Sequence, residues 1–90
     1  MPKFIVERNI PGAGKLTEIE LYAISQKSCR IIEKMGSKIE WLQSYVTDDK
    51  VFCEYNAMNQ EAVEEHARES GFKVDRILKV KTVFGPLVTE

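Results

Sequence analysis

Ile39-Glu40-Trp41-Leu42-Gln43-Ser44-Tyr45-Val46-Thr47-Asp48-Asp49-Lys50-Val51-Phe52-Cys53-Glu54-Tyr55 is the stretch that decides the fold. Both halves are rich in β-branched and aromatic residues, and the polar segment between them holds two adjacent aspartates. Strand, short polar turn, strand reads as a β-hairpin. Strict alternation sets Ile39, Trp41, Gln43 and Tyr45 against Glu40, Leu42, Ser44 and Val46. The partner register hangs on the turn, because a slip of one residue exchanges the two faces. A two-residue turn at Asp48 and Asp49 puts Gln43 and Tyr45 beside Phe52 and Glu54. One more loop residue puts them beside Cys53 and Tyr55.

Outward from the hairpin, each flank carries one helix and one strand. Upstream, Thr17 and Glu20 have capping-box spacing, and Leu21, Ile24, Ser28, Ile31 or Ile32 and Met35 recur near a 3.6-residue period. Tyr22 and Ala23 thicken that stripe. A helix over 18–35 follows, ended by Gly36. Before it, Lys3 to Arg8 alternates as a strand, and Pro11, Gly12 and Gly14 mark a loop. Downstream, Asn59 caps a second helix with Ala62, Val63, His66, Ala67 and Ser70 on its inward stripe, and Gly71 ends it. Arg76 to Phe84 reads as the last strand, with Leu78, Val80 and Phe84 on one face and Ile77, Lys79, Lys81 and Val83 on the other.

Two β-α-β units joined by a hairpin give the order β-α-β-β-α-β. Right-handed crossovers fold this order into a four-stranded antiparallel sheet with both helices on one face and the first and third strands at the centre. This is an α+β, ferredoxin-like arrangement, and the expectation is its dimeric α+β barrel type. The 90 residues predict one domain over 1–90. The second sheet face has no helix to cover it, yet Ile5, Ile77, Val83 and hairpin side chains are expected there. A homodimer through that open face is the expectation.

Composition narrows the function. Net charge is −1, from 13 basic and 14 acidic residues without a run of one sign, which argues against a nucleic-acid partner. No apolar run is long enough to span a membrane, and the N-terminus has no signal-peptide pattern. Cys29 and Cys53 fit a cytoplasmic protein with free thiols. Pro11-Gly12-Ala13-Gly14-Lys15 lacks the spacing of a phosphate loop and has no Ser or Thr after the lysine.

The groups that can carry chemistry are few. His66, the sole histidine, shares a helix face with Ala62 and Val63, so it points at the sheet, where an imidazole needs a hydrogen bond or a ligand. Glu7 and Glu54 are strand carboxylates, each a candidate metal ligand; Glu7 can equally pair with Lys79 or Lys81. Cys53 is a small buried hydrophobe or a soft ligand. For acid–base work the candidates are His66, Tyr45 and Tyr22.

Phe4-Ile5-Val6-Glu7-Arg8, Trp41 with Ser44-Tyr45-Val46, Asp49-Lys50, Cys53, Tyr55 and Ala57, Glu61-Ala62 with His66-Ala67, and Gly71-Phe72 with Asp75-Arg76-Ile77 together resemble a family of small bacterial proteins of unassigned activity. One branch of it is nickel-responsive or nickel-binding. The resemblance spans essentially the whole chain. It implies a ferredoxin-like homodimer with facing sheets and outward helices, and nickel or a similar divalent ion as its ligand, for which the residues read above offer His66, Glu7, Glu54 and Cys53. Two positions depart from it. Gln43 stands where relatives commonly carry histidine, and Lys73 where proline is usual. An amide oxygen is a poor substitute for imidazole on Ni²⁺, so weak nickel binding or none, with a small organic ligand in its place, is expected. The alternatives are a small monooxygenase-like or isomerase-like enzyme of the barrel type, and a non-catalytic binding or structural module.

Overall fold

The structure, a computed structural model, describes residues 1–86. Its elements are β1 (Lys3–Asn9), α1 (Glu18–Met35), β2 (Ile39–Val46), β3 (Lys50–Ala57), α2 (Gln60–Ser70) and β4 (Arg76–Lys79). The four strands form one antiparallel sheet in the order β2-β3-β1-β4, with β3 and β1 central.

Local chemistry sets the helix ends as expected. Thr17 Oγ1 accepts from the Glu20 N–H, and the Glu20 carboxylate accepts from the Thr17 N–H, a reciprocal capping box. Asn59 Oδ1 accepts from the Ala62 N–H at 2.9 Å. Gly71 closes α2 at φ +73°, a left-handed conformation that a Cβ would strain. Ser28, Ile31 and Met35 of α1 and Ala62, Val63, His66 and Ser70 of α2 are buried against the sheet. Facing them are Phe4 and Val6 of β1, Ile39 of β2, and Cys53, Tyr55 and Ala57 of β3.

The glycines of the Pro11–Lys15 loop have structural work. The loop lies on the hairpin turn: Gly12 N–H donates to Asp49 Oδ1 at 2.9 Å, and Gly14 N–H donates to the Asp48 carbonyl at 3.0 Å. A Cβ on Gly14 would sit 3.1 Å from Asp48 Cα.

Four expectations need correction. The sheet is not of the barrel type. It is open: β2 pairs only with β3 and the four-residue β4 only with β1, so neither edge finds the partner that closure requires. Secondly, β4 ends at Lys79 rather than running to Phe84; Val83 and Phe84 lie beyond the strand and are exposed. Thirdly, Ile77 pairs with Val6 and packs against the core, which places its neighbour Leu78, paired with Ile5, on the open face. The fourth concerns β2, where a register shift between Trp41 and Gln43 makes Leu42 a bulge. The bulge resets the alternation. Trp41, Ser44 and Val46 therefore share the helix side, while Gln43 and Tyr45 take the open side.

Hairpin pairing follows the two-residue turn. Tyr45 opposes Phe52, Gln43 opposes Glu54, and the Thr47 N–H donates to the Lys50 carbonyl at 2.8 Å.

Candidate functional site

Strand parity divides the candidate residues between two surfaces. On the helix side lie Phe4, Val6 and Arg8 of β1 and Val51, Cys53 and Tyr55 of β3. On the open side lie Ile5 and Glu7, with Phe52 and Glu54 opposite them. His66 and Cys53 are thus on one face of the sheet, and Glu7 and Glu54 on the other. The four do not converge. Among the described residues, no group of three or more His, Cys, Asp or Glu side chains is placed to hold a metal ion.

The helix side holds a cavity of about 300 Å³ between the sheet and the N-terminal half of α1. Its walls are mostly apolar: Leu16, Leu21 and Ile24 on one side, Trp41, Val46 and Val51 on the other. The polar groups that reach it come from several elements, among them Arg8, Ser28, Tyr55 and His66. The Leu42 bulge puts Trp41 on the same side as Ser44, whose Oγ accepts from the Trp41 indole N–H at 3.0 Å.

His66 is only 2% exposed. Its Nε2 lies 3.0 Å from Ser28 Oγ, and its ring centroid is 5.2 Å from that of Tyr55. Nδ1 is the one buried side-chain nitrogen or oxygen among the described residues without a hydrogen-bond partner. Burial first, then the Arg8 charge, lowers the imidazole pKa to about 4, so the ring is neutral at pH 7. Burial likewise pushes the Tyr55 phenol above its ordinary value. Cys53 is a buried free thiol, and Cys29 an exposed one.

Arg8 was not singled out from the sequence. Strand alternation from Phe4 and Val6 was the available signal: it aims Arg8 at the helix side, where an arginine is unexpected. The residue is 4% exposed. Nη1 donates to the carbonyls of Phe72 and Lys73 at 3.4 and 3.3 Å, long for such bonds.

Polar networks occupy the open side. Glu7 Oε1 accepts from Arg76 Nη2 at 2.8 Å, and Oε2 accepts from Lys50 Nζ. These two cations, Lys50 first, hold the Glu7 carboxyl below its usual range. Glu7 pairs with them rather than with Lys79 or Lys81. Glu54 Oε1 accepts from Gln43 Nε2 at 2.7 Å and from the Tyr45 hydroxyl at 3.0 Å. The Gln43 bond leads in lowering the Glu54 pKa, and the Glu54 carboxylate in turn raises that of Tyr45. Gln43 and Tyr45 thus join the Glu54 cluster. Tyr22 belongs to neither surface: it is 64% exposed on α1 and accepts from Gln26 Nε2.

No helix among the described residues is long and apolar enough to cross a membrane. No curated protein gives a significant match. A crystal structure titled as that of SCO4226 from Streptomyces coelicolor A3(2) is similar in fold, with a TM-score of 0.76 and 20% identity over 91% of this chain and 99% of that one. The family model described as nickel responsive protein SCO4226-like matches residues 4–80, from the start of β1 to just past β4. The match covers all four strands but for Lys3, both helices, every residue lining the cavity, and Gln43, Tyr45 and Glu54, and on it the chain belongs to the family of SCO4226-like nickel responsive proteins.

Proposed function

We propose that this chain is a small, non-catalytic, metal-responsive binding protein that works as a homodimer, two copies meeting through the open faces of their sheets. The observation that carries the reading is the family match over residues 4–80. The dimer has its own support: Ile5 and Phe52 are half-buried and Tyr45 and Leu78 exposed on a surface that no helix covers. Stacking two such faces would bury the apolar side chains and bring the two Glu54 clusters into one interface.

The donors of a single chain do not fit a nickel site. The one imidazole and the buried thiol share their cavity with the Arg8 cation, which disfavours a second positive charge there. Glu7 is already neutralised by Lys50 and Arg76. What remains is Glu54 with the Tyr45 hydroxyl oxygen, a hard set that turns the Gln43 amide nitrogen rather than its oxygen inward, has Lys3 Nζ 3.7 Å from Glu54 Oε2, and lacks the imidazole Ni²⁺ favours. Weak divalent-ion binding at the paired open faces follows from that set. An exposed, unpaired Cys29 suits a reducing, cytoplasmic setting.

The test is a melting curve of untagged, chelator-stripped protein with excess Ni²⁺ or Mn²⁺, read beside Glu54→Gln. A ligand that binds only the folded dimer raises the melting temperature with concentration. The expected result is a metal-dependent rise that Glu54→Gln removes. A melting temperature unmoved by about a hundredfold excess of either ion over protein would sink the metal reading.

A further inference from the structure

We propose that the helix-side cavity binds a small apolar monocarboxylate, with the Arg8 guanidinium receiving the carboxylate and the α1 side of the cavity receiving the hydrocarbon. Three observations lead there. The first is an uncompensated charge. Arg8 is 4% exposed, yet no carboxylate of the described residues lies within 4.0 Å of it. Its only hydrogen bonds are the two long ones from Nη1 to the Phe72 and Lys73 carbonyls. A guanidinium has five N–H donors in a planar fork and does not deprotonate in proteins, so the charge stays; the groups near it, the two carbonyls and the Tyr55 hydroxyl, are neutral, and no anion among the described residues compensates it. Buried charges are ordinarily paired.

The second is the space beside it. The cavity measures about 300 Å³ and is lined chiefly by aliphatic and aromatic groups, a size at the lower end of the roughly 300–1,000 Å³ of small-molecule sites. An apolar cavity with a few convergent polar groups is the usual form of such a site. The third is an unpartnered polar atom, Nδ1 of His66, a residue 2% exposed that lines the same cavity. Nε2 is engaged by the Ser28 hydroxyl at 3.0 Å, and in the tautomer where Ser28 donates, Nδ1–H is the ring's remaining donor. The Phe72 ring carries Arg8 at 5.9 Å; Lys27, 5.3 Å from the same ring, does not line the cavity, so among the described residues Arg8 is the one cation there.

Charge count selects the class. One guanidinium beside a neutral imidazole balances one negative charge, and a carboxylate matches the guanidinium fork with two parallel bonds. A phosphate monoester would bring up to two negative charges into a cavity with one cation. A free amine would meet like charge. A neutral alcohol would leave Arg8 as it is.

The sole tryptophan, Trp41, lines the cavity and reports on its filling. The experiment titrates chelator-treated, full-length protein with octanoate, 1-octanol, octylamine and octyl phosphate, following Trp41 emission and checking by calorimetry. The proposal expects octanoate to bind at least about tenfold tighter than each of the others. Arg8→Met should abolish that preference while leaving the 1-octanol affinity in place, and Arg8→Lys should keep part of it. If Arg8→Met does not fold, the ranking of the four probes on the wild-type protein decides alone. Equal binding of octanoate and 1-octanol, preference for octyl phosphate, or no octanoate binding up to about 1 mM each overturns the proposal.

Discussion

Ser28 Oγ of α1 and His66 Nε2 of α2 lie 3.0 Å apart, a buried hydrogen bond that ties the two helices together across 38 residues of chain. It stands at the wall of the cavity and orients the only imidazole in the protein. The helix stripes that bury the two residues also bring them into contact, since each lies on the face turned to the sheet.

Ser28→Ala should therefore cost more than a surface serine. The change leaves Nε2 buried without a partner, beside an Nδ1 that already has none. A buried polar group stripped of its bond costs about 1–3 kcal/mol. Urea unfolding should show a lower midpoint with an unchanged slope. An unchanged midpoint would mean the bond adds nothing to stability.

The same imidazole sets a pH dependence. Its folded pKa of about 4 lies below the unfolded value of 6.5, so the unfolded chain binds the extra proton and stability rises with pH. The contribution is complete above pH 6.5 and fades as pH falls toward 4. Its size is on the order of 2 kcal/mol. Glu7 and Glu54, whose folded pKa values are lowered from 4.5, lose their contributions only below that value. The interval between pH 6.5 and 4.5 is thus left to histidine. His66→Gln should flatten the stability curve across that interval, measured by urea midpoints in a buffer series.

The open face can be tested by charge. Leu78→Lys places an ammonium beside Ile5, on the surface proposed to meet a second copy. Leu78 is 43% exposed, so the lone chain loses little, an effect within about 0.5 kcal/mol. Sedimentation should show a dimer for the wild type and a monomer for the variant at equal concentration. A wild type that sediments as a monomer refutes the pairing.

Two glycines of one loop should respond for different reasons. Gly14→Ala pushes a methyl against the backbone of Thr47 and Asp48, while Gly12→Ala forces a side chain onto φ +76°. Each should cost about 1 kcal/mol. Gly85→Ala, with nothing within 4 Å, serves as the neutral control in the same thermal melts.

Much of the fold was legible because its signals are local. The capping box at Thr17 and Glu20, the Asn59 cap and Gly71 each act within four residues, and each appears where the pattern placed it. The two-residue turn at Asp48 and Asp49 was one of two readings, and the register selects it. What could not be read is the Leu42 bulge, since a strand that gains one residue keeps the same composition as one that does not. The turn register set Ser44 and Val46 on the cavity side and Gln43 and Tyr45 with Glu54, and the extra residue brought Ile39 and Trp41 to the cavity side as well. Metal candidates chosen by residue type were split by parity, because Glu7 and Glu54 occupy positions out of phase with Cys53 and with the face His66 meets.

Sequence alone determined the order of elements, their caps and the inward aim of His66, because helix and strand periods are properties of neighbouring residues. The tertiary structure decided that the sheet stays open, that Ile77 rather than Leu78 reaches the core, and that Arg8 lies buried without a carboxylate beside a cavity. Those outcomes depend on which strand edges meet and on what lies across the gap between sheet and helices. Both are relations between residues distant along the chain, and no local pattern encodes them.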